Sequence, residues 1–286
     1  EDLQQGEVEL RQLLPNVHLR VTKSVPTLQI QRTPSGHLLS LNPDFCRAFV
    51  KTEADARTVI AHELFHPLRG HLGMRFEPHA GLRQLANLCC DILVNAIVIL
   101  RALDGAEPDI FRLMYSPHTL QGSLLLPPND LLRALDPADE RAQTGLGGMR
   151  AAASEDPAFE QGLVATVSEH LRTLGIQHAD GFARGYVAGW LAFPEATSFC
   201  ERMRGLFIAE FGLDPQVPEI VLLGSHDAHA PVCAHSAPID DRLEALGCRI
   251  GALEAELAER APVRPSRLAY DRFARQVVTA LDRGAG

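Results

Sequence analysis

One stretch decides the fold expected for this chain: Thr58-Val59-Ile60-Ala61-His62-Glu63-Leu64-Phe65-His66. It contains the pattern His-Glu-x-x-His behind an apolar lead-in. On an α-helix, residues four apart lie on the same face, one turn above the other. His62 and His66 can therefore direct imidazole nitrogens at one metal ion. Zinc fits such a site, because imidazole and carboxylate ligands suit it and three protein ligands leave a position open for water.

Glu63 follows the first histidine and can reach a water molecule held by that ion. Bound zinc lowers the pKa of its water to roughly 7, which makes hydroxide available at neutral pH. Glu63 would accept the proton and return it to the leaving amine. The alternative is that His62 and His66 are ordinary polar positions on a surface helix. The capping-box-like pair Thr52 and Asp55, three residues apart, predicts a helix start and favours the zinc interpretation.

Composition restricts the class of protein and its partners. The chain has 286 residues, of which 46% are hydrophobic, enough for one large domain or two small ones. Its net charge of -9 argues against nucleic acid as a partner, because phosphate binding requires a basic surface. The six cysteines form no CxxC pair, the first residues are polar and acidic, and the longest apolar run, residues 92–100, is too short to span a bilayer. We therefore expect a cytoplasmic protein without a membrane partner.

The residues ahead of the His-Glu helix predict strands. Val17–Val21 and residues 27–31 alternate between apolar and polar side chains, and residues 37–41 return after the turn signal Pro34-Ser35-Gly36. These patterns predict a small antiparallel N-terminal sheet. Pro67 should end or kink the following helix, because proline disfavours helical geometry in the residue before it.

A second long helix is predicted over residues 79–103. Apolar residues cover most of its circumference, which indicates deep burial. Asn87, Asp91 and Asn95 line one face, since they are four residues apart. A buried acid is costly unless it is paired or binds metal. Asp91 is therefore either a metal ligand or the partner of an arginine or a neighbouring loop.

The spacing favours Asp91 over His71 as the third zinc ligand. The metzincin pattern His-Glu-x-x-His-x-x-Gly-x-x-His requires a third histidine six residues after the second, whereas His71 follows His66 by five. The other solution takes a carboxylate from a following helix, and Asp91 comes 25 residues after His66. Asn95 would then orient Asp91. His71 and Tyr115 are both candidates for stabilising the oxyanion of the transition state.

A family resemblance is carried by three segments: Ala61-His62-Glu63-Leu64-Phe65-His66, then His71, then Leu88-Cys89-Cys90-Asp91-Ile92-Leu93-Val94-Asn95. Together they resemble the metallopeptidase domain of bacterial proteins linked to MoxR-type AAA ATPases, which often precedes a von Willebrand A domain. That family has a His-Glu-x-x-His helix and a second helix with Ala-Ala-Asp-x-x-x-Asn. The resemblance covers roughly residues 17–128, and residues 122–128 also resemble a family segment.

The resemblance implies an activity, a ligand set and a partner. It implies a zincin-like fold with two active-site helices, zinc ligation by His62, His66 and Asp91, and Glu63 as general base. It also implies an AAA ATPase as a partner. Pro67 departs from the family pattern, as does the Cys89-Cys90 pair, and no Asp-x-Ser-x-Ser pattern of a von Willebrand A domain follows.

The expected fold class is α+β, mainly helical. We expect a zincin-like metallopeptidase core in residues 1–128, a flexible linker or loop in residues 129–156, and a helical C-terminal region in residues 157–286 that packs on the core. That last region contains a ligand-rich segment, His226-Asp227-Ala228-His229-Ala230-Pro231-Val232-Cys233-Ala234-His235. It is a second zinc site, a cover that brings Cys233 to the catalytic zinc, or a His-rich polar loop. The loop is favoured, because the spacing matches no standard zinc module.

These observations favour a zinc-dependent metallopeptidase that hydrolyses peptide bonds in a protein or peptide substrate. Two alternatives stay open. One is a zinc-retaining binding or regulatory module of an ATPase-linked or defence complex, although such a module has no need of the intact Glu63. The other is a regulatory peptidase that cleaves repressors, a class that shares the His-Glu helix but places its third ligand differently.

Overall fold

A three-stranded sheet comes first in the computed structural model, which describes residues 16–73, 80–102 and 108–212. Its strands are β1 (Val17–Val21), β2 (Leu28–Thr33) and β3 (Gly36–Leu41), arranged in the order β1-β3-β2. β2 and β3 form an antiparallel hairpin in which Leu28 pairs with Leu41. β1 runs parallel to β3, with Val17 opposite His37.

The sheet is therefore mixed, and the prediction of an antiparallel sheet is wrong for one of its two pairings. β1 and β2 run in opposite directions, but β3 lies between them and pairs with both. A strand between two antiparallel strands must be parallel to one of them. Gly36 begins β3 with φ 140°, and a Cβ atom there would lie 2.2 Å from the carbonyl oxygen of Asn16. Glycine at this position allows β3 to start directly beside the beginning of β1.

The first of two units contains this sheet and two helices, and its described part is residues 16–73. The helices are α1 (Pro43–Phe49) and α2 (Glu53–Leu68), and a 3₁₀ turn (His71–Gly73) follows. α2 packs against β2. It begins with the predicted capping box, in which the Asp55 N–H donates to Thr52 Oγ1 (3.1 Å) and the Thr52 N–H donates to Asp55 Oδ2 (2.9 Å). Pro67 lies in its last turn, and the helix ends one residue later, near the predicted end.

The second unit is helical, and its described part is residues 80–102 and 108–212. Its first helix, α3 (Ala80–Ile97), continues into a π-helical segment (Val98–Ala102). The remaining elements are α4 (Ile110–Met114), α5 (Leu120–Leu125), α6 (Pro128–Leu135), a 3₁₀ turn (Glu140–Gln143), α7 (Leu146–Glu155), α8 (Pro157–Thr173), α9 (Ala179–Ala192) and α10 (Ala196–Phe211). α3 packs against α5, α9 and α10. The predicted α+β, mainly helical fold class is confirmed.

The interpretation of residues 129–156 as a flexible linker or loop is wrong, because α6 and α7 occupy most of this stretch. The proline directly before this stretch and the first glycine within it stand at helix starts: Pro128 in the first turn of α6, and Gly145 at the N-cap of α7. Proline is tolerated there, since its missing N–H has no partner in a first helical turn. Leu131 and Leu146 are fully buried, so both helices belong to the core.

The helices α8, α9 and α10 occupy most of the described part of residues 157–286, the region predicted to be helical. α9 carries glycines at every fourth position, 181, 185 and 189, which weaken a helix prediction. They permit close packing with α10: a Cβ atom at Gly185 would lie 2.5 Å from Met203 Sδ. The rest of that region, residues 213–286, lies outside the described residues, and so does the segment 226–235 within it.

Three side chains cap the C-terminal end of α5. The last carbonyl groups of a helix lack intrahelical donors, and Pro127 and Pro128, which follow α5, have no N–H to offer. Trp190 Nε1 donates to Leu124 O (3.4 Å), Asn95 Nδ2 to Leu125 O (3.3 Å) and the Tyr186 hydroxyl to Leu126 O (2.6 Å). These hydrogen bonds connect α3 and α9 to the C-terminal end of α5.

Removing the Tyr186 hydroxyl should destabilise this unit. Tyr186→Phe leaves the buried Leu126 carbonyl without that donor, which costs about 1–3 kcal/mol of unfolding free energy. The measurement is urea unfolding followed by the fluorescence of Trp190, the chain's one tryptophan, whose ring lies 6.3 Å from the Tyr186 ring. An unchanged unfolding midpoint would show that the hydroxyl contributes nothing to this cap.

Of the described helices, none has the combination of length and apolar character needed to cross a bilayer.

Candidate metal centre

Helix α2, in the first unit, carries two histidines and one glutamate whose side chains are buried. His62, Glu63 and His66 are each 0% exposed. Residues 58–66 are buried without interruption, because α2 is covered on most of its sides. An ordinary surface helix would expose its polar residues, so the alternative of surface histidines is wrong.

The two imidazoles lie close to the spacing that ligation of one ion requires. His62 Nε2 and His66 Nε2 lie 3.1 Å apart, a distance at which one ring N–H also hydrogen-bonds the other nitrogen. Two Zn–N bonds of about 2.0–2.1 Å at a tetrahedral angle place the nitrogens about 3.3 Å apart. The pair would need to separate by only a few tenths of an ångström to accept zinc.

Gly70 adopts the left-handed backbone conformation and turns the chain, so that a third histidine, His71, contacts His66. Gly70 has φ 74°, and the Arg69 N–H donates to Phe65 O (2.9 Å), so the chain reverses directly after α2. His71 consequently lies with its Nδ1 atom 3.2 Å from Nδ1 of His66, and it is 5% exposed. Burial, followed by smaller effects of His62 and Arg69, lowers the pKa of His71 to about 4. His71 is therefore neutral at pH 7.

Asp91 lies on α3, in the second unit, and is 0% exposed. All residues from Leu88 to Asn95 are buried, as the apolar pattern of this helix predicted. Cys89 and Cys90 are buried free thiols, with exposures of 0% and 2%. They therefore act as small core residues, as predicted.

The remaining candidate residues have structural contacts of their own. Asn95 donates to the α5 carbonyl of Leu125, so its amide helps to cap that helix, and its predicted role in orienting Asp91 stays a prediction. Tyr115 follows α4, is 4% exposed, and stacks on Phe111 with ring centroids 6.1 Å apart. Its candidacy as the oxyanion donor also stays a prediction.

The structure brings three candidate residues together within the first unit: His62, His66 and His71. The contact between His66 and His71 was missed in the sequence, where His71 was considered only as a ligand or an oxyanion donor. The signal that indicates it is Gly70 directly after a helix, since glycine at that position commonly reverses the chain. Asp91 belongs to the second unit, and its part in metal binding stays a prediction.

Comparisons with protein-family models, with curated proteins and with solved structures found no match for this chain.

Proposed function

We propose that this protein is a zinc-dependent metallopeptidase related to the MoxR-linked domain that its motifs resemble. The observation that carries the proposal is the buried His62–His66 pair, with its Nε2 atoms 3.1 Å apart. Glu63 adjoins this pair in the chain and is as completely buried. Two imidazoles and a carboxylate are rarely placed in a protein interior without a cation or a proton to share.

The proposed ligands are His62, His66 and Asp91, a buried set of side chains that could hold one ion. Each histidine would ligate through Nε2, and Asp91 through a carboxylate oxygen. This donor set suits zinc, and three protein ligands leave the fourth position open for water. The positive charge of the ion would also offset the cost of burying the Asp91 carboxylate in an apolar helix.

In the proposed reaction, the histidines and the glutamate of the His-Glu motif in α2 have separate roles. Bound zinc supplies a Lewis acid that lowers the pKa of water to roughly 7. His62 and His66 would hold the ion together with Asp91. Glu63 accepts the proton of the attacking water at a carboxylate oxygen and donates it to the leaving amine. Burial of these side chains keeps bulk water away and strengthens their electrostatic interactions.

We also propose a substrate class, a partner protein and a cellular compartment. The substrate would be a protein or an extended peptide, and the family resemblance favours an AAA ATPase as the partner. A reducing cytoplasm is the proposed location, because the described cysteines, Cys46, Cys89, Cys90 and Cys200, are all free thiols.

Metal-dependent cleavage of peptides tests this function. The full chain, loaded with zinc, is incubated with a peptide library, and new termini are identified by mass spectrometry. Cleavage should stop when a chelator removes zinc and return when zinc is restored. Cleavage that persists in zinc-free protein would contradict the proposal. Full zinc occupancy without cleavage of any peptide would favour the zinc-retaining binding module instead.

A further inference from the structure

We propose that His71 is a positioning residue for the metal ligand His66. In this arrangement His71 accepts a hydrogen bond from Nδ1–H of His66 and thereby commits Nε2 of His66 to the ion. The inference rests on the zinc site proposed above, and it assigns a role to a residue outside the ligand set.

The two nitrogens of the His66 ring face different partners. Nε2 of His66 lies 3.1 Å from Nε2 of His62, and Nδ1 of His66 lies 3.2 Å from Nδ1 of His71. The rings of His66 and His71 are nearly perpendicular, with centroids 5.1 Å apart and an interplanar angle of 72°. Both contacts fall within the hydrogen-bonding range for ring nitrogens.

The tautomers follow from the number of protons. A neutral imidazole carries one proton, and a ligating nitrogen must present its lone pair to the metal. If Nε2 of His66 ligates, its proton resides on Nδ1 and points at Nδ1 of His71. Nδ1 of His71 must then be the acceptor, so the proton of His71 resides on its own Nε2. Such a partner fixes the orientation of a ligating ring and raises its basicity.

The same geometry argues against His71 as a ligand of this ion. Nδ1 and Nε2 of an imidazole direct their lone pairs to nearly opposite sides of the ring. His71 contacts the Nδ1 side of His66, whereas an ion shared with His62 would lie on the Nε2 side. His71 therefore contacts His66 on the side of the ring that faces away from the ion, and it is not itself a ligand.

The backbone holds His71 in this position. α2 ends at Leu68, and Gly70 adopts φ 74°, a conformation that L side chains rarely adopt. The Gly70 N–H donates to Pro67 O (3.1 Å), which closes the turn, and the 3₁₀ turn His71–Gly73 begins at the next residue. The 5% exposure of His71 leaves its ring little freedom to turn away.

Two substitutions distinguish the contribution of the acceptor nitrogen of His71 from the contribution of its planar ring. His71→Asn retains an acceptor, since the asparagine Oδ1 lies close to the position of the histidine Nδ1. His71→Phe retains a planar ring of similar size but removes the acceptor. Zinc affinity of each full-length variant is measured by competition with a chelating dye, and circular dichroism checks folding. We expect His71→Phe to bind zinc about 10–100-fold more weakly than wild type, the usual loss for such a partner. His71→Asn should recover most of that affinity.

Each other outcome overturns the inference in a distinct way. Wild-type affinity in His71→Phe would show that the acceptor is unnecessary. Equal losses in both variants would show that restoring an acceptor does not restore zinc binding, so that His71 does not act as the acceptor for His66. A wild-type chain that binds no zinc would overturn the proposed function, and this inference with it.

A spectroscopic measurement on the wild-type protein avoids dependence on a variant's folding. Long-range ¹H–¹⁵N spectra of the zinc-loaded, histidine-labelled chain should show His66 protonated at Nδ1 and metal-bound at Nε2. His71 should be protonated at Nε2 and free of metal. A metal-bound nitrogen in His71, or ligation of His66 through Nδ1, would overturn the assignment.

Discussion

Replacing Glu63 with glutamine is expected to reduce peptide hydrolysis by roughly 10²–10⁴-fold, the contribution of a general base. Glutamine has the size of glutamate and hydrogen-bonds similarly, but it cannot accept the proton of the attacking water at neutral pH. Glu63 is fully buried, so circular dichroism of the variant is used to check that the helix that carries it stays folded. Initial rates with the peptide identified by library cleavage give the measurement.

The matched control for this substitution is Glu169→Gln, at a side chain on α8 that is 72% exposed. It makes the same chemical change far along the chain from the His-Glu motif and should leave the rate unchanged. Zinc content must be equal in the wild type and both variants, since the role assigned to Glu63 is proton transfer. A Glu63→Gln variant that cleaves as fast as the wild type would contradict that role.

Replacing Asp91 with alanine is expected to weaken zinc binding by more than 100-fold. Loss of a direct ligand should exceed the 10–100-fold effect typical of a residue that only supports one. Asp91→Asn provides a second variant of nearly the same size, in case the smaller side chain disturbs the packing of α3. The measurement is competition with a chelating dye, as for the His71 variants.

His71→Ala is the comparison that decides which residue is the third ligand. This variant should reach full occupancy at saturating zinc, even though its affinity falls. The reverse ranking, with His71→Ala losing the metal and Asp91→Ala retaining it, would contradict the assignment. If Asp91 instead pairs with an arginine, Asp91→Ala should keep its zinc and lose stability, because it leaves a buried charge without its partner.

The helices of the candidate site were predictable because their signals are local. The Thr52–Asp55 capping box appears in the structure as a reciprocal pair of hydrogen bonds, and α3 occupies most of the apolar stretch 79–103. Capping depends on side chains three residues apart, and burial of a helix depends on its own periodicity. Neither requires knowledge of distant parts of the chain.

Features that depend on distant contacts were not predictable in the same way. Alternation marks a strand but does not say which strand lies in the middle of a sheet, so the parallel β1–β3 pairing was missed. The role of Asn95 in capping α5 joins residues 30 positions apart. The contact between His66 and His71 requires the left-handed conformation of Gly70, which the sequence permits but does not require.

Zinc binding itself is measured by the metal content of the full wild-type chain, purified without added metal and analysed for elements beside Asp91→Ala. We expect one zinc per wild-type chain, removable by a strong chelator and restored by dialysis against zinc, with little or none in the variant. A wild-type chain that holds substoichiometric zinc and does not regain it on dialysis would contradict the proposed zinc site.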